Sequence, residues 1–85
     1  MNTLVDSARS ATYRDGFIVV TMNSGVEICF PVAKNPRLAQ GTEAQLKDIE
    51  VSPFGLHWPK LDEDLSFHGL MAGDYGQHLK RQAVR

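Results

Sequence analysis

The sequence predicts a small α+β domain: an antiparallel sheet of about four or five strands with one or two short helices packed on one face. Three observations carry this expectation. Two β-rich runs, Phe17 to Met22 and Val26 to Val32, flank three turn-forming residues. Further on the spacing becomes helical, with Leu61 and Leu65 four apart and Leu70 and Met71 three and four beyond Phe67. Finally, 85 residues leave room for one domain, which at this size buries only about 60–65% of its unfolded surface.

Residues 1–9 are polar and irregular, and Met1–Ser7 are expected to fray. Ala11-Thr12-Tyr13 closes a first strand turned by Arg14-Asp15-Gly16, since Asp-Gly is a favoured tight-turn pair. The run Phe17–Met22 reads as a strand buried on both faces. Asn23-Ser24-Gly25 fits a three-residue hairpin loop that pairs Met22 with Val26, Val20 with Ile28 and Ile18 with Phe30. Val26, Ile28, Phe30 and Val32 then face the core, and Glu27, Cys29 and Pro31 face away. Pro31 has no N–H to give to a ladder, so this strand ends near it or lies on an edge.

Asn35-Pro36-Arg37-Leu38 is a connection of about one helical turn. Thr42 followed three residues later by Gln45 has the form of a capping box, which places a short helix over Glu43–Lys47. Ile49-Glu50-Val51 alternates as a strand, Ser52-Pro53-Phe54-Gly55 turns, and Leu56-His57-Trp58 returns with Trp58 pointing in and His57 out. A helix over 62–72 follows. Its acidic start, Asp62-Glu63-Asp64, suits the positive end of the helix dipole, Ser66 is a second candidate cap, and Gly73 is the C-terminal residue. The ordered core is therefore expected over about residues 10–73, with residues 74–85 a polar tail that is basic at its end through Lys80, Arg81 and Arg85.

Composition narrows the function classes. A formal charge of −1 argues against bulk nucleic-acid binding, which needs a basic footprint. One cysteine, Cys29, excludes an internal disulfide framework and fits a reducing compartment; it is read as an inert buried thiol. The chain shows neither a signal-peptide pattern nor an apolar run approaching a membrane span, so the reading is a cytoplasmic protein with no membrane contact. No phosphate-binding glycine run or metal motif is present, and no cofactor is assigned.

Gly55-Leu56-His57-Trp58-Pro59, then Leu61-Asp62-Glu63-Asp64-Leu65-Ser66, Gly69-Leu70 and a closing Ala72-Gly73 resemble the C-terminal signature of the bacterial family called domain of unknown function 2442. Asn35-Pro36-Arg37-Leu38 is similar to that family's central Pro-Arg-Leu, and Met22-Asn23-Ser24-Gly25 sits where its hairpin turn falls. The resemblance implies no established activity, so no catalytic residues are carried over. Members are often encoded beside a second small protein, of domain of unknown function 4160. That arrangement implies a two-gene toxin–antitoxin-type module with this chain as the neutralising or regulatory half.

The residues leave several chemical readings open. His57 near Asp62 has the makings of a general-base pair, against the plainer reading of an outward strand residue. Asp64 and His68, four apart, suit either half of a metal site with His57 or a solvent-facing helical pair, and the second is preferred. The trio Asp62, Glu63 and Asp64 is either helix-start chemistry or an acidic patch for a basic partner. The first functional reading is a non-enzymatic protein–protein interaction module whose surface is His57, Trp58, Asp62, Glu63 and Asp64, an aromatic anchor ringed by charge. A free sheet edge would also suit a homodimer. The second is a small DNA-binding regulator using Arg37 and the tail, and the third a hydrolase-like enzyme built on His57 and Asp62.

Overall fold

Among the described residues, six strands form two three-stranded antiparallel sheets that share a single core. The computed structural model describes residues 7–77. In the first sheet β1 (Ala8–Arg14), β2 (Phe17–Met22) and β3 (Glu27–Pro31) lie in the order β1-β2-β3. A 3-10 turn (Val32–Lys34) and two short helices, α1 (Pro36–Ala39) and α2 (Glu43–Lys47), lead to the second sheet. There β4 (Glu50–Val51), β5 (Gly55–Trp58) and β6 (Glu63–Ser66) lie in the order β4-β5-β6, and α3 (Phe67–Met71) follows directly.

The local turn chemistry explains the first sheet. Asp15 and Gly16 both take positive φ, 52° and 88°, the pattern of a two-residue turn matched to strand twist. At the other end Met22 N–H donates to Val26 O at 2.8 Å and Gly25 N–H to Met22 O at 3.0 Å. The pairs Val20–Ile28 and Ile18–Phe30 follow in the anticipated register. β2, however, is buried on one face only. Ile18, Val20 and Met22 are inaccessible, whereas Phe17 is exposed, because among the described residues no second layer covers the outer face. Val26 is also exposed, since β3 starts one residue later, and Cys29 is an exposed thiol on the outer row.

The sheet is divided where a continuous one was expected. β3 stops at Pro31, an edge position, and the chain leaves it through 3-10 and α-helical turns before β4 begins. Helix α2 has the capping box in full: Gln45 N–H donates to Thr42 Oγ1, and Thr42 N–H donates to Gln45 Oε1. Inner-row residues of both sheets meet over the helices, with Ile18, Val20 and Phe30 from one side, Leu56, Trp58 and Leu65 from the other, and Leu38, Phe67 and Leu70 between.

The expected helix over 62–72 is replaced by a strand and one helical turn. Asp62, at φ 53°, belongs to the turn that brings the chain back from β5, and Glu63 and Leu65 then point into the core with Asp64 and Ser66 outside. Residues four apart, such as Leu61 and Leu65, share a face in either conformation, so that spacing does not discriminate. The acidic trio therefore starts no helix. Ser66 does: its Oγ accepts from Gly69 N–H at 2.9 Å. Helix α3 ends as anticipated at Gly73, where Asp74 N–H reaches Gly69 O and Gly73 N–H reaches Leu70 O, the paired bonds of a Schellman motif.

Beyond this helix the presumed tail is partly docked. Tyr75 stacks on Phe30 with ring centroids 4.8 Å apart and planes 6° from parallel. Its carbonyl accepts from the buried Asn35 Nδ2 at 2.8 Å. The same amide donates to Glu63 Oε2 at 2.8 Å, while Asn35 Oδ1 accepts from Arg37 N–H and Leu38 N–H and so caps α1. Met1–Asp6 and the basic residues Lys80, Arg81 and Arg85 lie outside the described residues.

Two predictions follow from this packing. A Cβ at Gly55 would overlap the Leu65 carbonyl oxygen, a backbone atom that cannot swing aside. Gly55→Ala is expected to cost about 1–3 kcal/mol, the range for overpacking, read as a lower midpoint in urea unfolding. Asn35→Ala removes the α1 cap and strands the buried Glu63 carboxylate, and a loss of about 2–4 kcal/mol is expected from the two effects together. Asn35→Asp keeps a capping oxygen but sets a carboxylate against Glu63. If it proves as stable as the wild type at pH 7, the amide bridge is not the important contact.

Candidate interaction surface

The outer face of the second sheet gathers most of the unusual surface chemistry. Antiparallel pairing sets Glu50 beside His57 and His57 beside Asp64, so one row across the three strands reads carboxylate, imidazole, carboxylate. All three side chains project from the face opposite to the one on which Leu56 and Leu65 are buried. His57 Nδ1 lies 2.7 Å from Asp64 Oδ1 and donates to it. That hydrogen bond raises the imidazole pKa above its ordinary 6.5; partial desolvation opposes the rise, and the charges of Asp64 and Glu50 add to it.

A shallow hollow of about 200 Å³ lies beside this row, between Phe54, His57, Asp64 and Ser66. Phe54 rises at its rim and is 81% exposed. The turn that presents it is fixed by Ser52, whose Oγ accepts from Phe54 N–H and Gly55 N–H and donates to Gly55 O. Below it, Phe67 N–H donates to Phe54 O at 2.9 Å, which ties the turn to the start of α3. The Phe54 backbone is thus held while its ring stands in water.

The residues expected to form one surface are divided by the fold. Trp58 is wholly buried and spends its indole N–H on Leu46 O at 3.1 Å, capping the end of α2, so it is a core residue and no contact anchor. Glu63 is buried with it and accepts from Asn35. Asp62 is exposed but lies toward Arg37, 3.9 Å from its guanidinium, rather than beside His57. Strand alternation is the cause: 58 and 63 face inward, 57 and 64 outward. His57 is thus the outward strand residue of the plainer reading, and its carboxylate neighbour is Asp64, not the Asp62 considered for a general-base pair. The Asp64–His68 helical pair does not form either, because Asp64 is on a strand.

Neither hydroxyl lining the hollow is bonded to His57; Ser52 holds its own turn and Ser66 caps α3. Among the described residues, no three His, Cys, Asp or Glu side chains are gathered for a metal ion, and no helix is long and apolar enough to cross a membrane. Phe54 is the residue that sequence reasoning missed. It lay within a Ser-Pro-Phe-Gly turn, and a large apolar residue in a turn was the available signal.

The fold and this face define a small two-sheet α+β domain with an exposed aromatic and a charged row on the outer sheet face. Residues 8–76 match the family described as Protein of unknown function (DUF2442), and the chain belongs to that family. It is similar to a protein of unknown function from Rhodospirillum rubrum, known from a crystal structure, with 34% identity, a TM-score of 0.77, and coverage of 86% of this chain and 93% of that one. An uncharacterised protein from Chromobacterium violaceum, solved by NMR, is similar at 27% identity and a TM-score of 0.74, over 93% of this chain and 79% of that one. No curated protein matches.

The His57–Asp64 bond has a titration signature. A raised folded pKa means that the pair stabilises the fold fully below the unfolded value near 6.5, and that this contribution is lost as pH rises through the folded value. In an NMR titration His57 is expected to titrate above 6.5 and to fall back toward it in Asp64→Asn. An unchanged midpoint in that variant would show that the bond is not formed in solution.

Proposed function

We propose that this chain is a non-enzymatic protein–protein interaction module, and that its contact surface is the outer face of β4–β6 centred on Phe54. The exposure of Phe54 carries this reading. An aromatic ring left 81% in water on a backbone fixed by three Ser52 bonds gains by being covered, and it is already ordered at the level of its backbone. His57, Asp64 and Glu50 supply the polar rim that sets orientation and partner choice. Trp58 and Glu63 support the surface from beneath.

The finer reading follows the gene arrangement of the family: a neutralising or regulatory half of a two-gene module, with a small protein of domain of unknown function 4160 as partner. The physical requirement on such a partner is an apolar pocket for the Phe54 ring beside a cationic group for Asp64.

Tagged wild type, Phe54→Ala, Asp64→Lys and Phe17→Ala are compared for proteins retained from the native host, and the affinity is then measured with the purified partner. Phe17 is another exposed aromatic, on the first sheet, and serves as control. A central anchor is worth about 2 kcal/mol or more, so Phe54→Ala is expected to weaken binding roughly 30-fold while Phe17→Ala leaves it unchanged. Relief of a partner's growth inhibition by wild type but not by Phe54→Ala would support the two-gene reading. Equal retention by all four proteins would remove the proposed surface.

A further inference from the structure

The structure leaves a second place on the molecule with unmet bonding capacity, the free edge of β3. Met22 N–H donates to Val26 O, and Val32 N–H donates to Gly16 O. The even-numbered residues of β3 therefore turn their backbone groups toward β2, and by strand alternation Glu27 and Cys29 turn theirs outward. No hydrogen bond to those outward groups is formed among the described residues. Pro31 falls on the same outward set, where its missing N–H costs the sheet nothing.

The other edges are guarded. β1 carries an irregularity between Ala8 and Ser10 together with Arg9 and Arg14, β4 has two residues, and β6 is four residues long and carries the exposed Asp64. Beside β3 there is instead a groove of about 390 Å³, walled on its far side by Leu70, Met71 and Tyr75. Val26 and Met71 line it and are 51% and 52% exposed.

We propose that the occupant of this edge is β3 of a second copy of the chain, paired antiparallel about a two-fold axis to join the two first sheets into one of six strands. Charge complementarity favours this occupant. With Cys29 opposite its counterpart, Glu27 of each copy lies opposite Pro31 of the other, at the end from which Lys34 emerges. Neither Glu27 nor Lys34 has an ion-pair partner among the described residues, and the two-fold brings one of each together twice. The two Glu27 side chains are kept at opposite ends. The edge is self-complementary in hydrogen bonds as well: Cys29 donates to and accepts from its counterpart, and Glu27 N–H donates to the Pro31 carbonyl. Val26 and Met71 are covered in the process. This interface lies on the first sheet and leaves the Phe54 surface free.

The test is sedimentation of the full chain over a range of concentrations, together with mild oxidation. In the proposed register the two Cys29 Cα atoms are roughly 5.5 Å apart, inside the disulfide range, so oxidation is expected to give a dimer of two 9.4 kDa chains joined through Cys29. Glu27→Lys and Lys34→Glu are each expected to raise the dimer dissociation constant about tenfold, and the double variant to restore it. Cys29→Pro removes the outward N–H and is expected to abolish the dimer. Should that variant unfold, the charge swap still decides. A chain that stays monomeric to roughly 1 mM overturns the proposal. So does a dimer indifferent to these changes. A monomer whose Glu27 and Cys29 amides exchange slowly overturns it too, in favour of another occupant of the edge.

Discussion

One side chain, Asn35, holds together parts of the chain that share no ladder. Its amide offers two donors and two acceptor positions, and all four are used inside the protein. The oxygen starts α1, and the nitrogen ties that helix to Glu63 on β6 and to the Tyr75 carbonyl beyond α3. Residue 76 must then pass so close that a Cβ there would overlap Asn35 Nδ2, and Gly76 takes φ 89° at that point. A buried asparagine with a missing partner would be costly, so each of the three segments is held in place by the other two. Glu63 gains similarly: its Oε2 accepts from Asn35, and Arg37, 3.8 Å from Oε1, offsets its charge.

The parts of this fold legible in the sequence are those decided by a few adjacent residues. Asp15-Gly16, Asn23-Ser24-Gly25, Thr42 with Gln45, and Gly73 each act through hydrogen bonds that close within five residues, and each forms as read. Pro31 also belongs here, since lacking an N–H is a property of the residue and not of its surroundings. The family resemblance drew on the same kind of information, a run of residues in fixed order, and it extends across both sheets.

What was not legible depends on which layer lies behind a segment. Glu63 looks like a surface acid in sequence, and only Asn35, 28 residues away, makes it a core residue. That inversion misdirected the reading of 62–66. With Glu63 taken as polar, Leu61 and Leu65 suggest helical spacing; with Glu63 counted as inward beside Leu65, residues Glu63–Ser66 alternate as a strand. The same limit applies to the division into two sheets, and to Tyr75, whose partner Phe30 is 45 residues earlier.

The exchange of roles between Trp58 and Phe54 has the same cause and a functional consequence. In a small domain the largest aromatic contributes most when it is buried, and Trp58 is accommodated because Leu46 provides a carbonyl for its N–H. A two-residue β4 cannot shield the turn that follows it, so Phe54 has no layer to enter. Burying Trp58 and exposing Phe54 are thus one structural decision, set by the register of β5 between its neighbours. A slip of that register by one residue would turn His57 inward, set Trp58 in water and break the Glu50–His57–Asp64 row. Leu46, Gly55 and Asn35 hold the register from three directions. The outer face of the second sheet is therefore specified in part by Leu46 and Asn35, which never reach it.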